Sequence, residues 1–327
     1  MRPQIALYSG SPRMRSAQKT VLVTGGAGFI GSHLSEALSK EGFRVRILDD
    51  LSSGSFNNLS SVAGSVDLIQ GSILDGDLVK AATAGCEAVF HLAAIVSVVR
   101  SIEDPIMAHQ INTTGSLNVF EAAKNENARV IFSSSAAVYG NALNIPLPES
   151  AVAMPLSPYG AQKLLGENYL SSYYESHRLE SISLRYFNVY GTRQDPTNPY
   201  SGVISIFSDR ARAQEPISIY GDGTQTRDFV FVDDVVRANL AALWAKNVQA
   251  EVFNVATGTG TSIRELADQT IKCTESHSAI VFRSPRQGDI LHSVGDPNLA
   301  AQRLNYKPST TLQNGLDKLI GVLQGSF

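Results

Sequence analysis

The sequence predicts an α/β protein, a doubly wound parallel sheet with a smaller α/β domain beside it. Three observations predict this. Short, apolar, β-branched runs alternate with helical patterns as far as Leu184. The first run is followed at once by a glycine-rich turn and then a helix. From about Val189 the texture changes to shorter pieces punctuated by Pro196, Pro199, Gly202, Pro216, Gly221 and Gly223.

Each element follows in order. TVLVT, residues 20–24, is short, apolar and β-branched, as a buried strand should be. After the turn at 25–31, Ile30, Leu34, Ala37 and Leu38 share one helical face, and Gly42 ends that helix. Residues 45–48, 66–69, 88–90, 130–132 and 182–184 read as further strands, with helices around 114–124 and 159–175. A helix at 233–244 and a strand at 252–255 are expected to return to the first sheet. Both domains are then discontinuous: 20–188 with 226–258 for the sheet domain, and 189–225 with 259–327 for the smaller one. Residues 1–19, with four basic residues and two prolines, read as a flexible tail.

Composition narrows the class. The 327 residues are 43% apolar, enough for one large core with a satellite. Charged residues make up 17% and the net charge is −3, so nothing points to nucleic acid. No apolar run approaches the roughly 18 residues of a membrane span. Cys86 and Cys273 lie in no Cys-x-x-Cys pair, and no His/Cys cluster has metal-ligand spacing. The balance is that of an ordinary cytoplasmic enzyme with reduced thiols and no metal.

The turn Gly25-Gly-Ala-Gly-Phe-Ile-Gly31 puts glycines at 25, 28 and 31. A phosphate can approach such a backbone closely, and the helix N-terminus offers it free N–H groups and partial positive charge. Asp49 ends the second strand eighteen positions after Gly31. A carboxylate there accepts hydrogen bonds from ribose hydroxyls and repels a 2′-phosphate. Asp50 adds to that repulsion, and no Arg or Lys follows before Lys80, which favours NAD over NADP. This makes the sheet domain Rossmann-type.

Tyr159 and Lys163 lie one helical turn apart after Ser157-Pro158. A lysine ammonium beside a tyrosine is expected to lower its pKa towards a working base. Ser133-Ser134-Ser135 follows a strand, so a hydroxyl there faces the ligand cleft of an α/β sheet.

Taken together, Thr24–Gly31, His91-Leu-Ala-Ala94, Ser133–Ser135, Tyr159-x-x-x-Lys163 and Arg185-Tyr-Phe-Asn188 resemble the extended short-chain dehydrogenase/reductase family, and within it the UDP-hexose 4-epimerases. The resemblance runs from about Thr20 to the end of the chain. It implies that Tyr159 takes the proton of the sugar 4-hydroxyl, that Ser135 holds that oxygen, and that Lys163 tunes Tyr159 and binds the nicotinamide ribose. The C4 hydride would pass to NAD and return to the other face of the 4-keto sugar. It assigns Gly25, Gly28, Phe29, Ile30, Gly31, Asp49, Ser72, Ile73, Leu92, Ala93, Ala94, Asn112, Tyr159, Lys163 and Tyr186 to the cofactor. Ser97, Ser135, Tyr159, Asn188, Tyr220, Arg227, Arg286, Asp289 and Ser293 fall to the substrate.

Within that set, Asn188, Arg227 and Arg286 match diphosphate-binding positions. Asp289 matches a carboxylate on the nucleoside ribose, and Tyr220 an aromatic near the uracil. Ser293 matches a gate beside the sugar 2-substituent, where a small residue leaves room for an N-acetyl group. The resemblance also implies a homodimer paired through the helices at 114–124 and 159–175. The chain departs from its relatives in three places. Ala136 and Ala137 stand where dehydratases and decarboxylases carry carboxylates and many epimerases a Thr. Ser72 replaces an Asp that contacts adenine, and Val96 a lysine near the phosphates. Three readings stay open: a UDP-sugar 4-epimerase, another nucleotide-sugar epimerase or reductase such as a UDP-uronate 4-epimerase, and a non-catalytic NAD-binding protein.

Overall fold

The structure, a computed structural model, describes residues 18–141, 144–194, 202–285 and 290–323. Most of the 1–19 tail, and Arg286 and Asp289, lie outside the described residues.

Seven parallel strands form the main sheet: β1 (Thr20–Thr24), β2 (Arg44–Asp49), β3 (Val66–Gln70), β4 (Cys86–His91), β5 (Arg129–Ser135), β6 (Ser181–Tyr186) and β11 (Ala250–Val255). Their spatial order is β11-β6-β5-β4-β1-β2-β3. The strands read as continuous apolar runs because both faces of the sheet are covered. Alternate residues feed two cores. Val21, Val23, Val45, Ile47, Ala88, Phe90, Ile131, Ile182 and Leu184 point into one. Leu22, Leu48, Val89, Val130 and Phe132 point into the other. Each fully buried Val, Leu, Ile or Phe contributes roughly 1.5–3 kcal/mol.

The helices on the faces are α1 (Phe29–Lys40), α2 (Gly76–Thr83), α5 (Ser116–Glu126), α6 (Pro158–His177) and α8 (Val232–Trp244), with short α3 (Val98–Glu103) and α4 (Pro105–His109) on the path to α5. One π-helical turn, Gln110–Gly115, joins α4 to α5. The strand order reverses between β1 and β4, so a crevice opens at their carboxyl ends.

The smaller region holds β7 (Asn188–Tyr190), α7 (Val203–Arg212), β8 (Ile217–Tyr220), β9 (Thr226–Arg227), β10 (Phe229–Phe231), β12 (Thr261–Ser262), α9 (Ile263–Cys273), β13 (Ile280–Arg283), β14 (His292–Ser293), α10 (Asn298–Leu304) and α11 (Leu312–Leu323). A third core, with Tyr190, Ile204, Phe207, Phe231, Leu266 and Leu316, holds most of it together. Packing crosses the sequence segments in two places. Ala300, Leu304 and Tyr306, on and after α10, join the first core of the large sheet, whereas Phe229 and Phe231 join the third core.

Candidate active site

The glycine turn is built by close backbone approach. A Cβ on Gly31 would lie 2.1 Å from the Gly25 carbonyl oxygen. Gly25 adopts φ +71°, and a Cβ there would lie 2.7 Å from the Ala93 nitrogen. The turn therefore rests directly on the 92–95 loop that follows β4. Gly28 starts α1 in extended backbone, and no side chain caps the helix. Its first N–H groups are thus left for an anionic ligand. Asp49 stands at the end of β2, where its carboxylate accepts from Ala27 N at 2.9 Å and Leu51 N at 2.8 Å. Burial raises its pKa, and those two backbone bonds oppose the rise. These two bonds leave lone pairs of the carboxylate for a ribose. An uncapped helix start, a turn only glycine can make and a pinned acid beside it fit a dinucleotide.

Phe29 and Ile30 occupy the first turn of α1 and pack partly against the third core. Ser72 Oγ accepts from Leu74 N at 3.2 Å in the loop after β3. Ile73 is buried against Gly115. Leu92 N donates to Thr24 O, and Ala93 N to Thr24 Oγ1; Ala94 follows in the same loop. Two of the expected cofactor residues have partners within the chain. The Asn112 amide bonds Ile95 N, Ile95 O and Gln162 Oε1, at 2.8, 2.9 and 2.8 Å. It clamps the 92–95 loop to α6. Tyr186 is a core residue whose hydroxyl pairs with Asn239, because β6 points that ring under α8 rather than into the crevice.

Ser135, Tyr159 and Lys163, the expected catalytic residues, lie at the carboxyl end of β5 and on the start of α6. Ser157 caps α6 by accepting from Gly160 N, with Pro158 in the first turn. A Cβ on Gly160 would lie 2.6 Å from Ala137 O, so only glycine lets this helix start close against the turn after Ser135. That approach sets the Ser135 side chain beside the Tyr159 side chain, where it favours ionisation of the phenol. Lys163 Nζ donates to Ser133 O at 2.6 Å and lies 5.9 Å from the Tyr159 ring centroid.

Their ionisation differs from the expectation on one point. Burial raises the Tyr159 pKa, opposed only by the Ser135 hydrogen bond. Burial also pushes the Lys163 ammonium down to about 7, with Glu167 opposing. Desolvation of both groups outweighs their interaction.

Sequence reasoning missed what lies behind the trio. Glu167, one turn beyond Lys163, is 5% exposed and takes a two-point grip from Arg185, at 2.9 and 2.7 Å, plus a bond from Ser134 Oγ at 2.5 Å. Arg185 also lies 4.7 Å from the Tyr139 ring centroid and donates to Glu149 O. The only trace in the sequence is the spacing of Glu167 from Lys163.

Three of the residues expected at the substrate gather around Asp228, which sequence reasoning also missed. Its buried carboxylate accepts from Thr257 N, Thr257 Oγ1, Gly258 N and Gly295 N. Its own N–H donates to Ser293 O and its carbonyl accepts from Asn188 N, both at 2.9 Å. Asn188, Arg227 and Ser293 are therefore knitted at one residue, and Ser293 is the β-register partner of Arg227. Arg227 Nη1 donates to Thr226 O. Tyr220 ends β8 and lines a cavity of about 700 Å³ with Gln225, Phe282, Arg283 and Leu291. Ser97 caps α3, accepting from Arg100 N. Among the described residues no group of three His, Cys, Asp or Glu is placed to hold a metal.

Fold and site define a dinucleotide-binding enzyme with a Tyr–Lys pair at the carboxyl edge of its sheet. Comparison with known proteins gives the family. Residues 21–256 match the NAD dependent epimerase/dehydratase family. The chain is 40% identical to the UDP-glucose 4-epimerase of Mycolicibacterium smegmatis, across 91% of this chain and 96% of that one. Among solved structures, the UDP-glucose 4-epimerase of Thermotoga maritima with UDP-glucose is similar at TM-score 0.90 and 38% identity, over 94% of this chain and 99% of that chain. The UDP-N-acetylglucosamine 4-epimerase of Methanobrevibacter ruminantium M1, in complex with UDP-N-acetylmuramic acid, is similar at TM-score 0.90 and 39% identity, over 95% and 99%. This chain belongs to the NAD dependent epimerase/dehydratase family, and its cofactor is NAD.

Proposed function

We propose that the protein interconverts UDP-hexoses at C4, acting on UDP-glucose and UDP-galactose and on their 2-N-acetyl counterparts. The observation that carries this is the meeting of Ser135, Tyr159 and Lys163 at the carboxyl end of β5, on the same edge of the parallel sheet as the glycine turn that follows β1. When bound, NAD supplies a hydride acceptor that returns what it takes. The chain does the rest. The Tyr159 oxygen accepts the proton of the sugar 4-hydroxyl and gives it back. Ser135 Oγ, beside Tyr159, orients that hydroxyl. Lys163, anchored on Ser133 O, adds positive charge beside the phenolate as it forms and offers donors to the nicotinamide ribose. Gly25, Gly28 and Gly31 hold the pyrophosphate at the α1 N-terminus.

Ala136 and Ala137 follow Ser135, so no carboxylate there supplies the extra acid–base chemistry of elimination or decarboxylation. Asn188 and Arg227 hold the substrate diphosphate. The small Ser293 beside Arg227 admits a 2-N-acetyl group. Support for these substrates comes from the two similar structures, one with UDP-glucose and one a UDP-N-acetylglucosamine 4-epimerase. The same reading makes the protein a cytoplasmic homodimer. In its favour, Val99, Ile102, Ile106 and Met107 on α3 and α4, both packed against α6, are exposed apolar side chains that a second copy would cover. Among the described residues no helix is long and apolar enough to cross a membrane.

The test is incubation with UDP-glucose and, separately, UDP-N-acetylglucosamine, without added cofactor, followed by proton NMR of the anomeric region. Appearance of the C4 epimer in both tubes is expected. No conversion of either, even with NAD added, would overturn the proposal.

A further inference from the structure

His91 closes β4 and is 1% exposed. Its Nδ1 lies 2.7 Å from Thr24 Oγ1 and its Nε2 lies 2.8 Å from Ser116 Oγ. The direction of each bond follows from counting protons. Ser116 Oγ donates to the Asn112 carbonyl at 2.7 Å, which has no proton to give. The single Ser116 proton is thus committed, and its oxygen must accept from His91 Nε2–H. A neutral ring protonated at Nε2 has a bare Nδ1, which accepts from the Thr24 hydroxyl. Thr24 Oγ1 in turn accepts from Ala93 N at 3.3 Å. One directed chain runs Ala93 → Thr24 → His91 → Ser116 → Asn112.

We infer that His91 is a positioning residue for the cofactor site, a neutral imidazole protonated at Nε2 that locks the 92–95 loop to the end of β1 and to the π-helical turn. Both ends of that loop hang on this chain. Thr24 holds Leu92 and Ala93, and Asn112, whose carbonyl ends the chain, clamps Ile95 and reaches Gln162 beside Lys163. The loop is also the surface against which Gly25 rests. Burial and the nearby Lys163 push His91 down to about 3, so the tautomer persists through the working pH range. The stack on Phe132 and the edge contact with Phe120 fix the ring plane. The inference rests on assigning Ala93 and its neighbours to the NAD site.

The experiment has two arms on the NAD-loaded protein. Long-range proton–nitrogen NMR of 15N-histidine-labelled protein should show one ring, lost in His91→Gln, with Nε2 protonated and Nδ1 bare, unchanged from about pH 5.5 to 8.5. A titrating or Nδ1-protonated ring would overturn the chain. In the second arm, NAD released on denaturation is measured per chain. His91→Phe, which keeps a ring and loses both bonds, should weaken NAD retention about tenfold or more while the KM for UDP-sugar stays unchanged. His91→Gln, with a donor near Nε2, should recover part of it. Full NAD retention in a folded His91→Phe would overturn the link to the cofactor. Should that variant not fold, Thr24→Val and Ser116→Ala replace it. Each should loosen NAD, the pair by less than the product of the two, and independent effects would overturn the proposal. Wild-type protein that releases NAD on denaturation separates failure of the cofactor assignment from failure of the chain.

Discussion

Arg185→Met should cost stability out of proportion to the size of the change. Arg185 and Glu167 are 6% and 5% exposed, so solvent screens their interaction little. The wild-type carboxylate receives two guanidinium bonds and one from Ser134 Oγ. Methionine keeps an unbranched apolar stem and removes both charged bonds, leaving an uncompensated buried carboxylate. Breaking such a pair from one side costs roughly 3–5 kcal/mol. Urea unfolding read by the single tryptophan, Trp244, measures the loss. The control is Arg185→Met with Glu167→Leu, which removes both charges and should recover at least about 2 kcal/mol of the deficit. A single-variant loss under about 1 kcal/mol with an unchanged m-value would refute the reasoning. So would a double variant that loses the sum of both singles.

Four further outcomes are expected. Tyr159→Phe should lower turnover by about 10²–10⁴-fold, the usual contribution of a positioned acid–base group, while the amount of NAD retained stays the same; parallel loss of NAD would show a binding role instead. Gly31→Ala should lose NAD, because the new Cβ would lie 2.1 Å from the Gly25 carbonyl oxygen; full NAD content would contradict that geometry. Ser293→Tyr should depress turnover of UDP-N-acetylglucosamine far more than of UDP-glucose, and equal effects would remove Ser293 from the substrate gate. Acid stability depends on His91. Its pKa falls from 6.5 unfolded to about 3 folded, so the native state binds fewer protons in that window and loses stability as pH drops through it. Burial imposes this at about 1.4 kcal/mol per pH unit, and a neutral His91→Gln should flatten the acid limb of the unfolding profile; an unchanged limb would count against it.

The parts of the fold that could be read from sequence are those where one local rule dominates. Strands β1, β2 and β5 announce themselves because a sheet covered on both faces needs continuous apolar runs. The glycine turn and Asp49 are legible because a pyrophosphate and a ribose each demand a particular backbone or side chain at fixed spacing. The return of residues 252–255 to the sheet was visible as an apolar run, and β11 lies there beside β6. The short pieces were not legible. Strands β9, β12 and β14 have two residues each, and the Asp228 carboxylate beside β9 ties in the segments at Thr257–Gly258 and Gly295, far apart in sequence. For Tyr159, sequence shows the neighbouring Lys163 charge but not the burial that raises its pKa. Tyr186 was drawn to the cofactor by its place in Arg185-Tyr-Phe-Asn188, whereas the twofold alternation along β6 sends its ring to the core. Glu167, Arg185 and His91 were hidden for the same reason: a buried polar group is recognisable only once its partners, 18 to 33 residues away for Glu167 and 25 to 67 for His91, are in place.

The most direct test of the account follows a label. UDP-glucose carrying deuterium at C4 is converted by the purified protein in ordinary water, and the product is examined by NMR and mass spectrometry. The account predicts UDP-galactose with the deuterium still on C4, because Tyr159 moves only the hydroxyl proton and the C4 hydrogen never meets solvent. Product with the label washed out would mean that a carbon-bound proton is abstracted instead, and the assignment of Tyr159, Ser135 and Lys163 to an alcohol-oxidising site would be wrong.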